Sequence, residues 1–294
     1  MPLVRSRPGR APRVLLLGLL PVAVSACGIA SGSDGPAIQV YSARSYGAEQ
    51  AYERFTEQTG IDVVFHTGND AELRERLQAE GDDSEADVFM TVDVANLALA
   101  AEQGVFRELD SPALEQAVPD DLRDPQGRWF GLSVRARAVI YNTDAVDPAE
   151  VTGYASLADP RFRGRLCLRT STSAYTQSLV ASLIANEGED RAREIVAGWM
   201  ANDPDIIAND TEIIRTVAAG GCDVGITNHY YLARELAADD DLGVALAWPN
   251  QDSTGVHVNI SGAGVTRSAD SPAEAQRFIE WLATEGQSLF VDGN

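Results

Sequence analysis

The sequence has no lysine: all 23 basic residues are arginine, set against 44 Asp and Glu, which points to a codon-biased genome. The formal net charge is −21, and losing the four arginines of the N-terminal leader takes it to −25. Nucleic acid and anionic lipid surfaces are therefore poor partners, and a cation is the favoured ligand class. Signatures of common enzymes are missing too. No His-Glu-x-x-His, Gly-x-Ser-x-Gly, phosphate loop or dinucleotide fingerprint occurs, so no enzymatic activity is expected. Long apolar runs are absent after the leader, and no later segment is expected to cross a membrane.

The leader gives the address. Arg5, Arg7, Arg10 and Arg13 form a basic head, Val14 to Val24 is apolar but short for a membrane span, and Val24-Ser25-Ala26-Cys27 follows. That tetrapeptide resembles the bacterial lipobox, in which the cysteine is lipidated and becomes the mature N-terminus. Residues 1–26 are then a lipoprotein signal peptide, and 27–36 a flexible tether of small residues. Two cysteines remain, Cys167 and Cys222, each at the start of a predicted strand in an export compartment that permits disulfides. A disulfide is expected, and two buried thiols are the alternative.

Strands and helices alternate from Ile38 to Gln103, which implies a parallel-rich sheet wrapped by helices. A turn at Asp124-Pro125-Gln126-Gly127 precedes a strand at Arg128 to Leu132. The β-rich run from Val134 to Asn142 would carry the chain into a second βα unit, and Gly255 to Val265 would bring it back. The expected architecture is α/β with two lobes, 37–133 plus 257–294 and 134–256, joined by a two-crossing β hinge. No internal repeat is evident.

One stretch stands out, Gly221-Cys222-Asp223-Val224-Gly225-Ile226-Thr227-Asn228-His229-Tyr230-Tyr231. A buried strand ends at Thr227-Asn228 and a helix carrying Leu232 and Leu236 begins. Two tyrosines thus sit at the carboxyl end of a strand, where ligands bind in open α/β sheets. A free phenol has a pKa near ~10, but a multivalent cation can strip its proton and leave a hard anionic oxygen suited to iron(III). Taken alone, such a pair is more often a core cap with its hydroxyls in water.

The wider pattern resembles the iron(III)-binding solute receptors of bacterial ABC importers, a branch of the periplasmic binding proteins. The likeness covers residues 38 to 293. It rests on ordered blocks including Tyr41-Ser42-Ala43-Arg44-Ser45-Tyr46, Ala86-Asp87-Val88, Trp129-Phe130-Gly131-Leu132-Ser133-Val134-Arg135-Ala136-Arg137, Leu157-Ala158-Asp159-Pro160, Tyr175-Thr176-Gln177-Ser178-Leu179-Val180, Asn209-Asp210-Thr211, Asn228-His229-Tyr230-Tyr231 and His257-Val258-Asn259-Ile260-Ser261-Gly262.

The resemblance implies that Fe3+ is held by Tyr46, Tyr175, Tyr230 and Tyr231. Ser45 stands where the family often has His, so water, a synergistic anion such as carbonate, or a chelator would complete the coordination. Ser45, Arg135 and Arg234 are expected beside the ion and its anion, with Arg137 near them. His66 and His257 are expected to be structural, and His229 abuts the tyrosine pair. Tyr141, inside a β run, is left out. The chain also stops where relatives carry a further helical tail.

As partners, the likeness implies an ABC permease with a cytoplasmic ATPase, and a membrane only through Cys27. The receptor is expected to be a monomer facing the periplasm or cell-wall space. A receptor of the same fold for a ferric chelate, an organic anion or a polyamine is the alternative reading.

Overall fold

The short apolar runs Val88–Thr91 and Val224–Asn228 become strands buried along their whole length. The computed structural model describes residues 36–44 and 48–292. The leader with Cys27, the tether up to residue 35, and Ser45 and Tyr46 lie outside the described residues.

The first half opens with β1 (Ala37–Ser42), α1 (Ala48–Thr59), β2 (Asp62–Thr67), α2 (Asp70–Glu80), β3 (Val88–Thr91) and α3 (Val94–Glu102). Strand β1 lies between β2 and β3 and is parallel to both. A short α4 (Pro112–Ala117), capped by the Ser111 hydroxyl, follows. The sequence reading had no helix there, since six residues carry too little periodicity to register.

Next comes β4 (Phe130–Asn142), one continuous strand where the sequence suggested two. Its register against the returning strand shifts between Gly131 and Ser133, at the break between the two expected strands.

The second half contains β5 (Leu166–Arg169), α5 (Ala174–Glu187), α6 (Glu189–Ala201), β6 (Asp205–Ile207), α7 (Asp210–Ala218), β7 (Val224–Asn228), α8 (His229–Ala238) and β8 (Val244–Ala247). Strand β5 is parallel to both β6 and β7. The chain then returns through β9 (Val258–Val265) and closes with α9 (Pro272–Ala283) and α10 (Gln287–Asp292).

Strand order across the sheet is β2-β1-β3-β9-β4-β7-β5-β6, with β8 also on β4. Phe130 to Ala136 of β4 pair with β9, while Arg137 to Tyr141 pair with β7. Strands β4 and β9 are therefore the two crossings between the halves, and the fold is the two-lobed one expected.

Each half has its own apolar core on both sheet faces. In the first, Phe55 and Phe278 meet at 5.1 Å between ring centres and Phe55 and Trp281 at 5.4 Å, pinning α1 to α9. In the second, Leu157, Phe162, Leu166, Leu179 and Trp199 fill one face, and Ile140, Ile213, Val217 and Leu232 the other. Cys167 and Cys222 form a disulfide that ties the start of β5 to the residue pair preceding β7. Asp205 lies beside them, but a bonded pair of sulfurs offers no thiolate to a metal. No helix among the described residues is long and apolar enough to cross a membrane.

Candidate functional site

Two strand-to-helix junctions of the second half deliver the tyrosines. Strand β7 runs straight into α8, placing Tyr230 and Tyr231 in the first turn of that helix. Helix α5 is capped by Ser173, whose hydroxyl accepts the Tyr175 N–H at 3.3 Å, so Tyr175 too lies in a first turn. Unpaired N–H groups give a helix start a partial positive charge, which favours an anionic oxygen nearby. All three tyrosines are thus carried in the first turn of a helix.

Tyr230 and Tyr175 line one cleft of about 480 Å³, together with Arg44, Arg135, Arg234, His229 and Ser261. Tyr231 is buried behind, its ring centre 4.3 Å from that of Tyr230.

Three guanidiniums surround the Tyr175 ring: Arg169 at 5.0 Å, Arg135 at 5.1 Å and Arg137 at 6.0 Å from its centre. Cations over an aromatic face are attracted to it, and they also favour the ionised phenol. Each arginine is held by something else. Arg135 donates to Ser261 Oγ at 3.0 Å and to the Ile260 carbonyl at 3.3 Å, both on β9. Arg137 is ion-paired with Asp210, the first residue of α7, and donates to Asn228 Oδ1 at 3.3 Å. Arg169 Nη1 lies 3.2 Å from Asp210 Oδ1, close enough to pair but not aligned as a hydrogen bond.

Asp210 is fully buried and also accepts the Asn228 N–H at 3.0 Å, at the base of the tyrosine turn. One carboxylate therefore positions two arginines and the β7–α8 junction. Burial works against the charge of Arg169, yet Asp210 and the phenols of Tyr231 and Tyr175 raise its pKa overall. The close approach of α7 needs Gly225, because a Cβ there would sit 2.7 Å from Ile213 Cγ2.

The opposite wall comes from the first half and the C-terminal helix. Arg44 is buried over the Phe290 ring, 4.6 Å from its centre. Burial, with help from Arg135, lowers its pKa against the pull of the Tyr52, Tyr230 and Tyr175 phenols. Gln287 and Phe290 of α10 extend this wall.

Of the residues expected from sequence, Tyr175, Tyr230, Arg135 and Arg234 line the cleft, and Arg234 is exposed. Tyr231 and Arg137 stand just behind it. Ser45 and Tyr46 lie outside the described residues. His229 accepts the Ala136 N–H on Nδ1 at 3.1 Å, and burial lowers its pKa. His66 contacts Gln39, and His257 contacts Ser178, as structural histidines do. Tyr141 packs against the second half's core. Sequence reasoning missed Arg44, Arg169 and Asp210 as site residues. Arg44 and Asp210 sat inside quoted blocks, but only tertiary contact shows what they face.

A two-lobed α/β fold with a cleft lined by tyrosines and arginines defines a class, and the chain belongs to it. It matches the bacterial extracellular solute-binding protein family over residues 39–288 and is a binding protein, not an enzyme. It is 41% identical over 267 residues to Iron uptake protein A1 of a Synechocystis species, covering 87% of this chain and 74% of that one. Against the Fe(3+)-binding periplasmic protein of Serratia marcescens it is 30% identical over 274 residues, covering 92% and 80%.

Among solved structures, Trichodesmium IdiA (FutA) in complex with iron and citrate superposes with a TM-score of 0.79 at 41% identity, covering 88% of this chain and 84% of that one. Iron-bound HitA from Pseudomonas aeruginosa gives 0.80 at 27% identity, covering 87% and 84%.

Proposed function

We propose that this protein is an extracytoplasmic receptor that captures iron(III) between its lobes on tyrosinate oxygens and passes it to an ABC permease. The observation that carries the reading is the meeting of Tyr175 and Tyr230 in one cleft, each at a helix start, among guanidiniums that favour ionised phenols. The names of the relatives agree with it. Tyr231 and Tyr46 complete the ligand set in this reading. The lobes are 37–133 plus 257–294 and 134–256, and the ion favours closure because only the closed state gathers oxygens from both. Cys27 tethers the receptor to the membrane.

Four phenolates around a trivalent cation leave one net negative charge, which Arg135, Arg137, Arg169 and Arg44 more than offset even with Asp210 counted. A synergistic anion such as carbonate is the expected partner for the ion in this guanidinium-rich cleft.

A ferric chelate is the second reading. About 480 Å³ exceeds what a bare ion needs, and arginines on the wall suit carboxylates. The same arginines disfavour a polyamine.

The test is titration with ferric citrate, followed by metal analysis and the visible spectrum. A reddish phenolate-to-iron band should appear, and Tyr230→Phe with Tyr231→Phe should abolish it while leaving the fold intact. A colourless wild type, or full colour in the double variant, overturns the assignment.

A further inference from the structure

We propose that Ser178, Asn259 and Asp93 form a latch across the crossing strands, holding α5 and its Tyr175 against β9 and setting how readily the halves part. The proposal rests on the lobe-closure reading above and adds positioning residues to it.

Asn259 lies on β9, is 5% exposed, and uses both ends of its amide. Its Oδ1 accepts the Val94 N–H at 3.0 Å and the Ile260 N–H at 2.8 Å. Two backbone donors at the oxygen fix which end is nitrogen. Nδ2 therefore donates both to Asp93 Oδ2 at 2.8 Å and to Ser178 Oγ at 2.8 Å.

Asp93 caps α3 in the first half, and its other oxygen accepts the Asn96 N–H at 3.1 Å. Ser178 belongs to α5 in the second half, three residues past Tyr175 and so on the same helix face. Besides receiving the amide, the Ser178 hydroxyl shares a hydrogen bond with His257 Nε2 at 3.0 Å, on the segment leading into β9. One hydroxyl thus joins α5 to the crossing twice, and Asn259 carries that join to α3.

The His257 N–H in turn donates to the Tyr154 hydroxyl at 3.0 Å, which donates to the Arg137 carbonyl at 2.6 Å on β4. The latch is continuous with the other crossing strand.

Swinging α5 off β9 breaks both Ser178 bonds. Deleting the hydroxyl should shift the latched-to-unlatched ratio on the order of tenfold, the usual effect of a net hydrogen bond or two. Ser178 touches the ion in no reading given above, so the effect is on geometry, not ligation.

The experiment compares wild type, Ser178→Ala and Ser178→Thr by small-angle scattering of metal-free protein, iron release to EDTA followed in the visible band, and melting temperature. Ser178→Ala should scatter as a wider population and release iron about tenfold faster, and Ser178→Thr should restore both. Wild-type scattering from Ser178→Ala overturns the latch, whether or not its melting temperature falls, and so does failure of Ser178→Thr to rescue. If the wild type shows no iron band, the iron reading fails, and the metal-free scattering still decides the latch.

Discussion

The two halves begin one of their helices with the same device and put it to different use. Asn69-Asp70-Ala71-Glu72-Leu73 opens α2, and Asn209-Asp210-Thr211-Glu212-Ile213 opens α7. In both, Asn caps the helix and the buried Asp reaches across to the end of a neighbouring strand, taking the Val92 N–H at 2.8 Å or the Asn228 N–H at 3.0 Å. The remaining partners differ. Asp70 takes a neutral Thr91 hydroxyl, whereas Asp210 faces Arg137 and Arg169. Burial raises the Asp70 pKa, because hydroxyl and amide donors offset only part of the lost hydration. The comparison teaches that one backbone brace becomes part of the proposed site when its charge is answered by arginines whose guanidiniums lie over the Tyr175 ring.

The largest effect should come from removing that charge. Asp210→Asn leaves two buried guanidiniums without their carboxylate and should cost about 3–5 kcal/mol in urea unfolding, as breaking buried pairs does. Asp70→Asn loses a carboxylate whose ionised form is already disfavoured and should cost about 1 kcal/mol or less. Equal losses at the two sites would erase the distinction between neutral and charged braces.

The disulfide sharpens the contrast next. It closes a 55-residue separation within the second half, worth roughly 2–4 kcal/mol. Cys167→Ala with Cys222→Ala should lower hydrogen-exchange protection in β5 and β7 and leave β1 to β3 near wild type. Matching losses in both halves would mean that they unfold as one unit.

How much of this was legible beforehand follows from the range of each interaction. Capping and periodicity alone predict helices over Asp70 to Glu80 and Pro272 to Ala283, the observed bounds of α2 and α9, because both signals are local. The junction carrying Tyr230 and Tyr231 is readable from local pattern as well, whereas Tyr175 enters only through the family resemblance. The shared Asn-Asp-x-Glu pattern went unnoticed as a repeat, since five residues with different flanks carry little signal until both are seen bracing strand ends. Arg169 gives no sequence signal beyond ending a predicted strand over Arg165 to Arg169. Its role depends on α7 folding over β5, a contact between segments forty residues apart that no spacing rule encodes, and the same holds for the Asn259 amide.

Acid should set the crossing strand β9 and α5 apart from α2 by the smallest of these effects and the most specific one. His257 is held down to about 4 by burial first, then by Arg137 and Arg135. With a folded pKa below the unfolded value near 6.5, its contribution is complete above ~6.5 and lost as pH falls toward 4, since the unfolded chain binds the proton first. The loss should reach roughly 2 kcal/mol by pH ~4.5. Asp70 moves the other way. Its folded pKa lies above the unfolded one, so the folded state takes the proton first, and that contribution is present in acid and fades as pH rises through the folded value. Exchange protection around β9 and α5 should therefore weaken between pH ~6.5 and ~4.5, with no matching loss around α2, and His257→Gln should remove the slope. A wild-type slope that persists in His257→Gln would place the acid response elsewhere in the fold.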